Sequence, residues 1–325
     1  MKILITGVAG FIGFHLAKKL LTLNFNIIAI DNLNNYYDIS LKKDRLKVLE
    51  NYSKKNNKKF QFIKTDIKNS KKMNQIFLKN KFSLVFHLAA QAGVRFSIKN
   101  PDQYLESNII GFYKILNLCK KYKTKHLLFA SSSSVYGNSK KYPSQESSNT
   151  DSPVSFYAAS KKTNEVMAYA YANIYNLPVT ALRFFTVYGP YGRPDMSLYK
   201  FFKNIINKKP INVFNFGKHV RDFTYIDDAI EILIKIKDKR PKGKVPYQCF
   251  NVANGKPHKI MNYIKFIKEI AKQNVKINYL KLQKGDVEKT YASNKLIKRL
   301  IKKIKVTSLK DGLKKYYSWY INYYN

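Results

Sequence analysis

Lys2-Ile3-Leu4-Ile5-Thr6-Gly7-Val8-Ala9-Gly10-Phe11-Ile12-Gly13 is the stretch on which the fold turns. Three apolar residues in a row give a short strand that suits burial on both faces. Glycines at GxxGxxG spacing then stand where the chain enters an apolar helical run, 11–23. Without Cβ atoms, a pyrophosphate can approach the backbone at the start of a helix. Alone, the motif also fits a plain strand-to-helix turn, so its context decides. Asp31 closes the next apolar run, 27–30. A carboxylate there can accept a ribose 2′-hydroxyl and would repel a 2′-phosphate, which favours NAD over NADP.

Outward from this point, apolar runs at 60–64, 84–87, 127–130 and 179–184 alternate with helical patterns at 73–78, 103–121 and 157–175. That rhythm predicts an α/β fold, a Rossmann-type doubly wound parallel sheet. The expected NAD-binding domain is 1–188, with 219–252 returning to it, and 189–325 is mainly a smaller C-terminal lobe for substrate. The lobe shows helical patterns near 197–207, 227–236, 261–272 and 309–321, and a strand near 212–215. The Lys/Asn-rich run 51–59 is expected to be a solvated loop. Lys and aromatics at 310–323 suit a closing helix docked on the fold better than one lying on a membrane. Asp66, after the third strand, can hold an adenine edge or cap a helix.

The chain has 325 residues and a net charge of +40, from 60 Lys+Arg against 20 Asp+Glu. Such charge raises the question of nucleic acid. Here the excess is mostly Lys, scattered, and travels with 25 Tyr, 21 Phe and much Asn and Ile, as an AT-rich coding bias would give. It is read as a solvated surface that would draw an acidic substrate, with no nucleic-acid partner. No stretch reaches the roughly 18 apolar residues of a membrane span, and the start leaves no room for a signal peptide, so a cytoplasmic protein is expected. Cys119 and Cys249 make neither a metal spacing nor a disulfide framework, and both are expected to be buried and inert. The five histidines do not cluster, so no metal is assigned.

Tyr157-Ala158-Ala159-Ser160-Lys161 puts a phenol and an ammonium four residues apart on one helix face. A nearby cation, helped by the charge of a nicotinamide ring, stabilises phenolate and lets the tyrosine act as a base near neutral pH. Ser131 to Ser134 lie just upstream at the end of the fifth strand.

These residues, with His87-Leu88-Ala89-Ala90, Asn108, Val135-Tyr136-Gly137 and Arg221-Asp222-Phe223-Thr224-Tyr225-Ile226-Asp227-Asp228, resemble the extended short-chain dehydrogenases that act on nucleotide sugars. The resemblance spans essentially the whole chain. It implies tightly held NAD contacted by Gly7, Gly10, Phe11, Ile12, Gly13, Asp31, Asn32, Asp66, Ile67, Leu88, Ala89, Ala90, Asn108, Tyr157 and Lys161. It implies Tyr157 as base for the sugar 4-hydroxyl, Lys161 as the group that lowers its pKa, and Ser132 as hydrogen-bond partner of the reacting oxygen. Arg221 would clamp the pyrophosphate with a bidentate guanidinium.

Related dehydratases and decarboxylases carry an acid just before the Val-Tyr-Gly, where this chain has Ser133 and Ser134. Its absence points to 4-epimerisation. Asp31-Asn32-Leu33-Asn34-Asn35-Tyr36-Tyr37-Asp38 followed by Leu41, Arg45 and Leu46, Gln91-Ala92-Gly93-Val94-Arg95, Thr186 to Met196, and Gly285-Asp286-Val287-Glu288-Lys289-Thr290-Tyr291-Ala292 are similar to the UDP-glucuronate 4-epimerases. By that resemblance Thr186 and Arg193 contact the sugar carboxylate. Arg95, Ser132, Ser133, Ser134, Arg221 and Asp286 also contact the nucleotide sugar, and Val213, Phe214 and Phe216 pack on the base or sit in an ordinary core strand. Ser293 departs from the family's Asp. The alternatives are a UDP-glucose or UDP-N-acetylglucosamine 4-epimerase, a UDP-glucuronate decarboxylase or nucleotide-sugar dehydratase, and a non-catalytic NAD-binding regulatory protein. A neutral sugar is expected to leave Arg193 nothing to pair with. By analogy the enzyme is a homodimer pairing 103–121 and 157–175.

Overall fold

In the computed structural model, which describes residues 2–302 and 306–324, seven parallel strands form the central sheet. They are β1 (Lys2–Thr6), β2 (Asn26–Asp31), β3 (Phe60–Lys64), β4 (Leu84–His87), β5 (His126–Ser132), β6 (Val179–Phe184) and, far along the chain, β10 (Tyr247–Val252). Their order is β10-β6-β5-β4-β1-β2-β3. Alternation sorts the side chains into two cores, because successive residues of a strand point to opposite faces. Ile3, Ile5, Phe86 and Leu128 enter one, and Leu4, Val85, Leu127 and Phe129 enter the other.

The first core is covered by α1 (Phe11–Thr22), α2 (Ile39–Lys55) and, later in the chain, α9 (Ile226–Ile236); the second by α3 (Ser70–Asn80), α6 (Gly111–Lys121) and α7 (Phe156–Tyr175). Between β4 and α6 the chain runs through α4 (Val94–Lys99), α5 (Pro101–Tyr104) and one wide helical turn, Leu105–Ile110. The expected helix 103–121 is therefore present, but widened in its first turns. The expected loop at 51–59 is corrected: α2 continues to Lys55, because Leu46, Leu49 and Ser53 keep one stripe buried under the polar run.

The remaining elements build the lobe. They are β7 (Thr186–Tyr188), α8 (Ser197–Ile206), β8 (Ile211–Phe214), β9 (Val220–Tyr225), β11 (Pro257–Lys259), α10 (Ile260–Ala271), β12 (Ile277–Leu280), α11 (Lys295–Ile301) and α12 (Leu309–Tyr324). Small sheets β11-β9-β7 and β12-β8 support it. Of the expected return of 219–252, β10 joins the main sheet beside β6 and α9 packs on α1, while β9 stays in the lobe. One apolar cluster runs from Ile3 and Phe14 through Phe202 and Tyr263 to Tyr316 and Tyr320, so the lobe shares its core with the sheet. α12 docks by Leu313, Tyr316 and Tyr320. Among the described residues no helix is long and apolar enough to cross a membrane. Cys119 is buried, which pushes its thiol up to about 12, but Cys249 is only partly buried.

Candidate active site

A cleft of about 1150 Å³ opens over the carboxyl ends of the strands, where the strand order reverses between β1 and β4. There the loop after β1 meets the loop after β4. Gly7 has φ +75°, and a Cβ on it would lie 2.6 Å from the Ala89 nitrogen. A Cβ on Gly13 would lie 2.2 Å from the Gly7 carbonyl oxygen. Only glycine permits this turn, and it leaves the first amides of α1 open to an anion. Asp31 ends β2, where Oδ2 accepts from the Ala9 amide at 3.0 Å and Oδ1 from Leu33 at 2.8 Å. Burial raises its pKa and those amides pull it back.

Gly10, Phe11, Ile12, Asn32, Ile67, Leu88 and Ala90 line the same wall. Asp66 accepts from Asn32 Nδ2 at 2.9 Å and from the Lys68 amide at 2.8 Å; the cap of α3 is Asn69 instead. Asn108 is off the wall. It is 1% exposed and braces Gln91 and Ser160 from behind, with bonds of 2.8 to 3.0 Å. Cradle and carboxylate together fit a dinucleotide with a free 2′-hydroxyl.

In the middle of the cleft stand Tyr157 and Lys161, one turn apart on α7, whose N-terminus Ser155 caps by accepting from the Ala158 amide at 3.1 Å. Lys161 Nζ donates to the Ala130 carbonyl at 2.8 Å. Burial lowers its pKa to about 8, which still leaves it mostly cationic at neutral pH. Burial raises Tyr157, while its hydrogen bond with Ser132 and the charge of Arg193 pull the other way. The protein alone therefore leaves the phenol above its usual value, and Lys161 does not by itself make it a neutral-pH base. Ser132 Oγ accepts from the Ser134 amide at 3.1 Å and donates to Ser134 Oγ at 3.1 Å. Ser133 lines the cleft beside them.

Beyond Tyr157 lie Thr186, at the start of β7, and Arg193, in the loop that follows. Arg193 is already paired: Nε donates to Asp195 Oδ1 at 3.0 Å and Nη2 to Oδ2 at 2.5 Å. The Tyr36 hydroxyl donates to the same Oδ2 at 3.0 Å. Burial opposes charge on the guanidinium, but Asp195 outweighs it and its pKa is raised. The expectation that a neutral sugar would leave Arg193 unpaired is therefore corrected.

At the far end Arg95 lies over the Phe214 ring, 4.9 Å from its centroid. Val213 is 1% exposed and belongs to the core cluster, and Phe216 is exposed outside the cleft. Arg221 departs from the clamp expected of it. Nη1 donates to the carbonyls of Val220 and Glu288 at 3.0 and 2.8 Å, and Nη2 to Asp286 Oδ1 and the Val287 carbonyl at 2.9 and 2.5 Å. Both terminal nitrogens are spent on fastening 286–288 to β9, so a bidentate grip on phosphate requires exchanging Asp286. Ser293 stays out of the cleft: its amide donates to Ser144 at 2.9 Å, so the segment with the unexpected Ser holds a loop.

Several residues of the site have no role legible in sequence, although Arg45 and Asp195 stand in segments similar to the family's. Arg45 is fully buried, with Nη1 on the Ala9 carbonyl and the Tyr37 hydroxyl, both 2.7 Å, and Nη2 on the Tyr191 carbonyl at 2.6 Å. His15, partly buried, meets the Pro190 carbonyl at 2.9 Å. Together they fasten the Arg193 loop to the glycine turn. Asp195 had one faint signal, an Arg-Pro-Asp triplet that sets opposite charges two residues apart.

Residues 3–253 match the NAD dependent epimerase/dehydratase family. Protein CapI of Staphylococcus aureus is 44% identical, over 100% of this chain and 99% of that protein. The structure of UDP-glucuronic acid 4-epimerase from Bacillus cereus, in complex with UDP-glucuronic acid and NAD, superposes with TM-score 0.91 at 32% identity, each chain covered fully. A UDP-glucose 4-epimerase from Thermotoga maritima, with UDP-glucose, gives TM-score 0.89 at 29% identity, again with full coverage of both. The chain belongs to the NAD dependent epimerase/dehydratase family, the extended short-chain dehydrogenases of nucleotide sugars to which its motifs point, and uses NAD as its cofactor.

Proposed function

We propose that the protein is a UDP-glucuronate 4-epimerase, interconverting UDP-glucuronate and UDP-galacturonate through a 4-keto sugar. The observation that carries this is Arg193, a guanidinium on the cleft wall close enough to influence Tyr157, in a cleft of about 1150 Å³ whose lining runs from Gly7 to Asp286. Bound NAD would accept a hydride from the sugar C4 and return it, so that none is consumed. Gly7, Gly13 and Asp31 would hold it. Tyr157 takes the proton of the 4-hydroxyl as the C4–H bond breaks, and gives it back when the other face of the ketone is reduced. Ser132 hydrogen-bonds the reacting oxygen, and Lys161 adds a positive charge one turn away. Thr186 and Arg193 hold the carboxylate, which keeps the carbon–carboxylate bond of the β-keto acid from aligning with the ketone and losing CO₂. The absence of an acid at Ser133 and Ser134 supports epimerisation over elimination or decarboxylation.

A neutral UDP-glucose substrate is favoured by one observation, the Asp195 carboxylate that already neutralises the charge of Arg193. Arg193→Met separates the two. It is expected to lower kcat/KM for UDP-glucuronate about a hundredfold, the worth of a charge-assisted bidentate pair, and that for UDP-glucose much less. An equal loss for both sugars would assign Arg193 to Tyr157 alone.

The assembly is read as a homodimer through α6 and α7, supported by Tyr113, Val166 and Tyr169, which stand 48 to 57% exposed on those helices. A solution mass of one chain, 37.9 kDa, would refute it.

A further inference from the structure

A guanidinium can grip carboxylates along its side edge, through Nε and one terminal nitrogen, or along its end edge, through both terminal nitrogens. Asp195 occupies the side edge of Arg193, through Nε and Nη2. Among the described residues no carboxylate or carbonyl is hydrogen-bonded to Nη1; the Tyr36 hydroxyl is its near neighbour, so the end edge faces the cleft without a charged partner. Asp195 is not free to leave. Its Oδ2 also holds the Tyr36 hydroxyl, and that hydroxyl is wedged against Gly93, where a Cβ would lie 2.3 Å from it. The neighbouring cation Lys42 is engaged elsewhere, its Nζ held by the Asn34 carbonyl at 2.6 Å and Oδ1 at 2.7 Å. Arg193 and Asp195 thus present a formally neutral pair, with one side fixed and the other open.

We propose that Asp195 is a specificity-determining positioning residue: it sets the plane of Arg193 so that the free edge serves the sugar, and its charge limits how strongly the pocket prefers an acidic over a neutral sugar. This rests on Arg193 being the carboxylate's partner. A sugar carboxylate on the end edge meets the guanidinium's attraction together with repulsion from Asp195, roughly 6 Å away across one guanidinium. At an effective dielectric constant of about 20, and allowing for screening of a pair that is about one-fifth exposed, that repulsion is worth about tenfold in binding. A neutral sugar does not feel it.

The test is kcat/KM for UDP-glucuronate and for UDP-glucose, measured on the NAD-loaded full chain as wild type, Asp195→Asn and Arg193→Met. Asp195→Asn keeps the shape and one of the two acceptor oxygens and removes the charge. The ratio of acid to neutral kcat/KM is expected to rise about tenfold, carried by a lower KM for the acid. A merely structural loss would lower both sugars together and leave the ratio alone. Asp195→Ser removes the charge and the two-point hold together, so a ratio that rises with Asp195→Asn but not with Asp195→Ser assigns the charge and the positioning separately. If Arg193→Met collapses the ratio while Asp195→Asn leaves it unchanged or lower, the charge of Asp195 does not limit the preference, the proposal falls and Arg193 keeps its role. If Arg193→Met does not move the ratio, the carboxylate reading fails and the role of Asp195 fails with it.

Discussion

Tyr157→Phe is expected to cut epimerisation about 10³-fold while NAD still co-purifies. The hydroxyl, hydrogen-bonded to Ser132, is the group proposed to take the substrate proton, and phenylalanine keeps the ring's packing against Tyr104. The glycine turn and Asp31, proposed to hold the other end of the dinucleotide, are untouched. The pH profile gives a second readout. Burial raises the Tyr157 pKa, so the fraction present as base grows as pH rises, and the wild-type rate should climb on the alkaline side of neutrality until Lys161, near 8, loses its charge. Tyr157→Phe should lack the rising limb. An undiminished rate would move the proton transfer to another group.

Arg183→Met is expected to destabilise the fold by about 3–5 kcal/mol. Arg183 on β6 and Glu165 on α7 form an ion pair with both side chains only 6% exposed, Nε and Nη2 reaching the two carboxylate oxygens at 2.9 and 2.7 Å. Ser131 donates to Glu165 Oε1 at 2.5 Å, and Arg183 Nη1 donates to the Tyr136 hydroxyl at 3.0 Å. Methionine fills similar volume but leaves a buried carboxylate with one hydroxyl, and the missing charge costs more than the pair gains. The network supports Ser131, next to Ser132, and the middle of the helix that carries Tyr157 and Lys161. Denaturant unfolding measures the loss, and Arg183→Met/Glu165→Leu should recover part of it by removing the orphaned carboxylate. A loss below about 1 kcal/mol would mean that the pair adds nothing beyond packing.

The parts legible in the sequence are those fixed by short-range geometry. Gly7 and Gly13 announce a turn where a Cβ would strike backbone, Asp31 ends a strand, and Tyr157 and Lys161 sit one helical turn apart; each pattern is local. Helix α2 is not legible from periodicity because its buried stripe, Leu41, Arg45, Leu46, Leu49 and Ser53, includes an arginine and a serine that break the apolar pattern. Arg45 has no carboxylate partner to announce it; it is buried because three backbone carbonyls and a tyrosine hydroxyl, brought from residues 9, 37, 191 and 192, converge on it. The ties of Asp195 to Tyr36 and of Arg221 to 286–288 are likewise made between segments far apart in the chain, and no spacing rule reports them. Asn108 illustrates the converse: its position in a familiar pattern suggested a contact with cofactor, and the structure gives it the bracing of Gln91.

Most direct for the central claim is an NMR time course of the purified protein with UDP-glucuronate and no added NAD, beside UDP-glucose. UDP-galacturonate should appear in the first sample, because the cofactor is regenerated in each turn and stays bound, and the neutral sugar should turn over far more slowly. Release of CO₂ with a pentose product, or turnover of UDP-glucose alone, would contradict it.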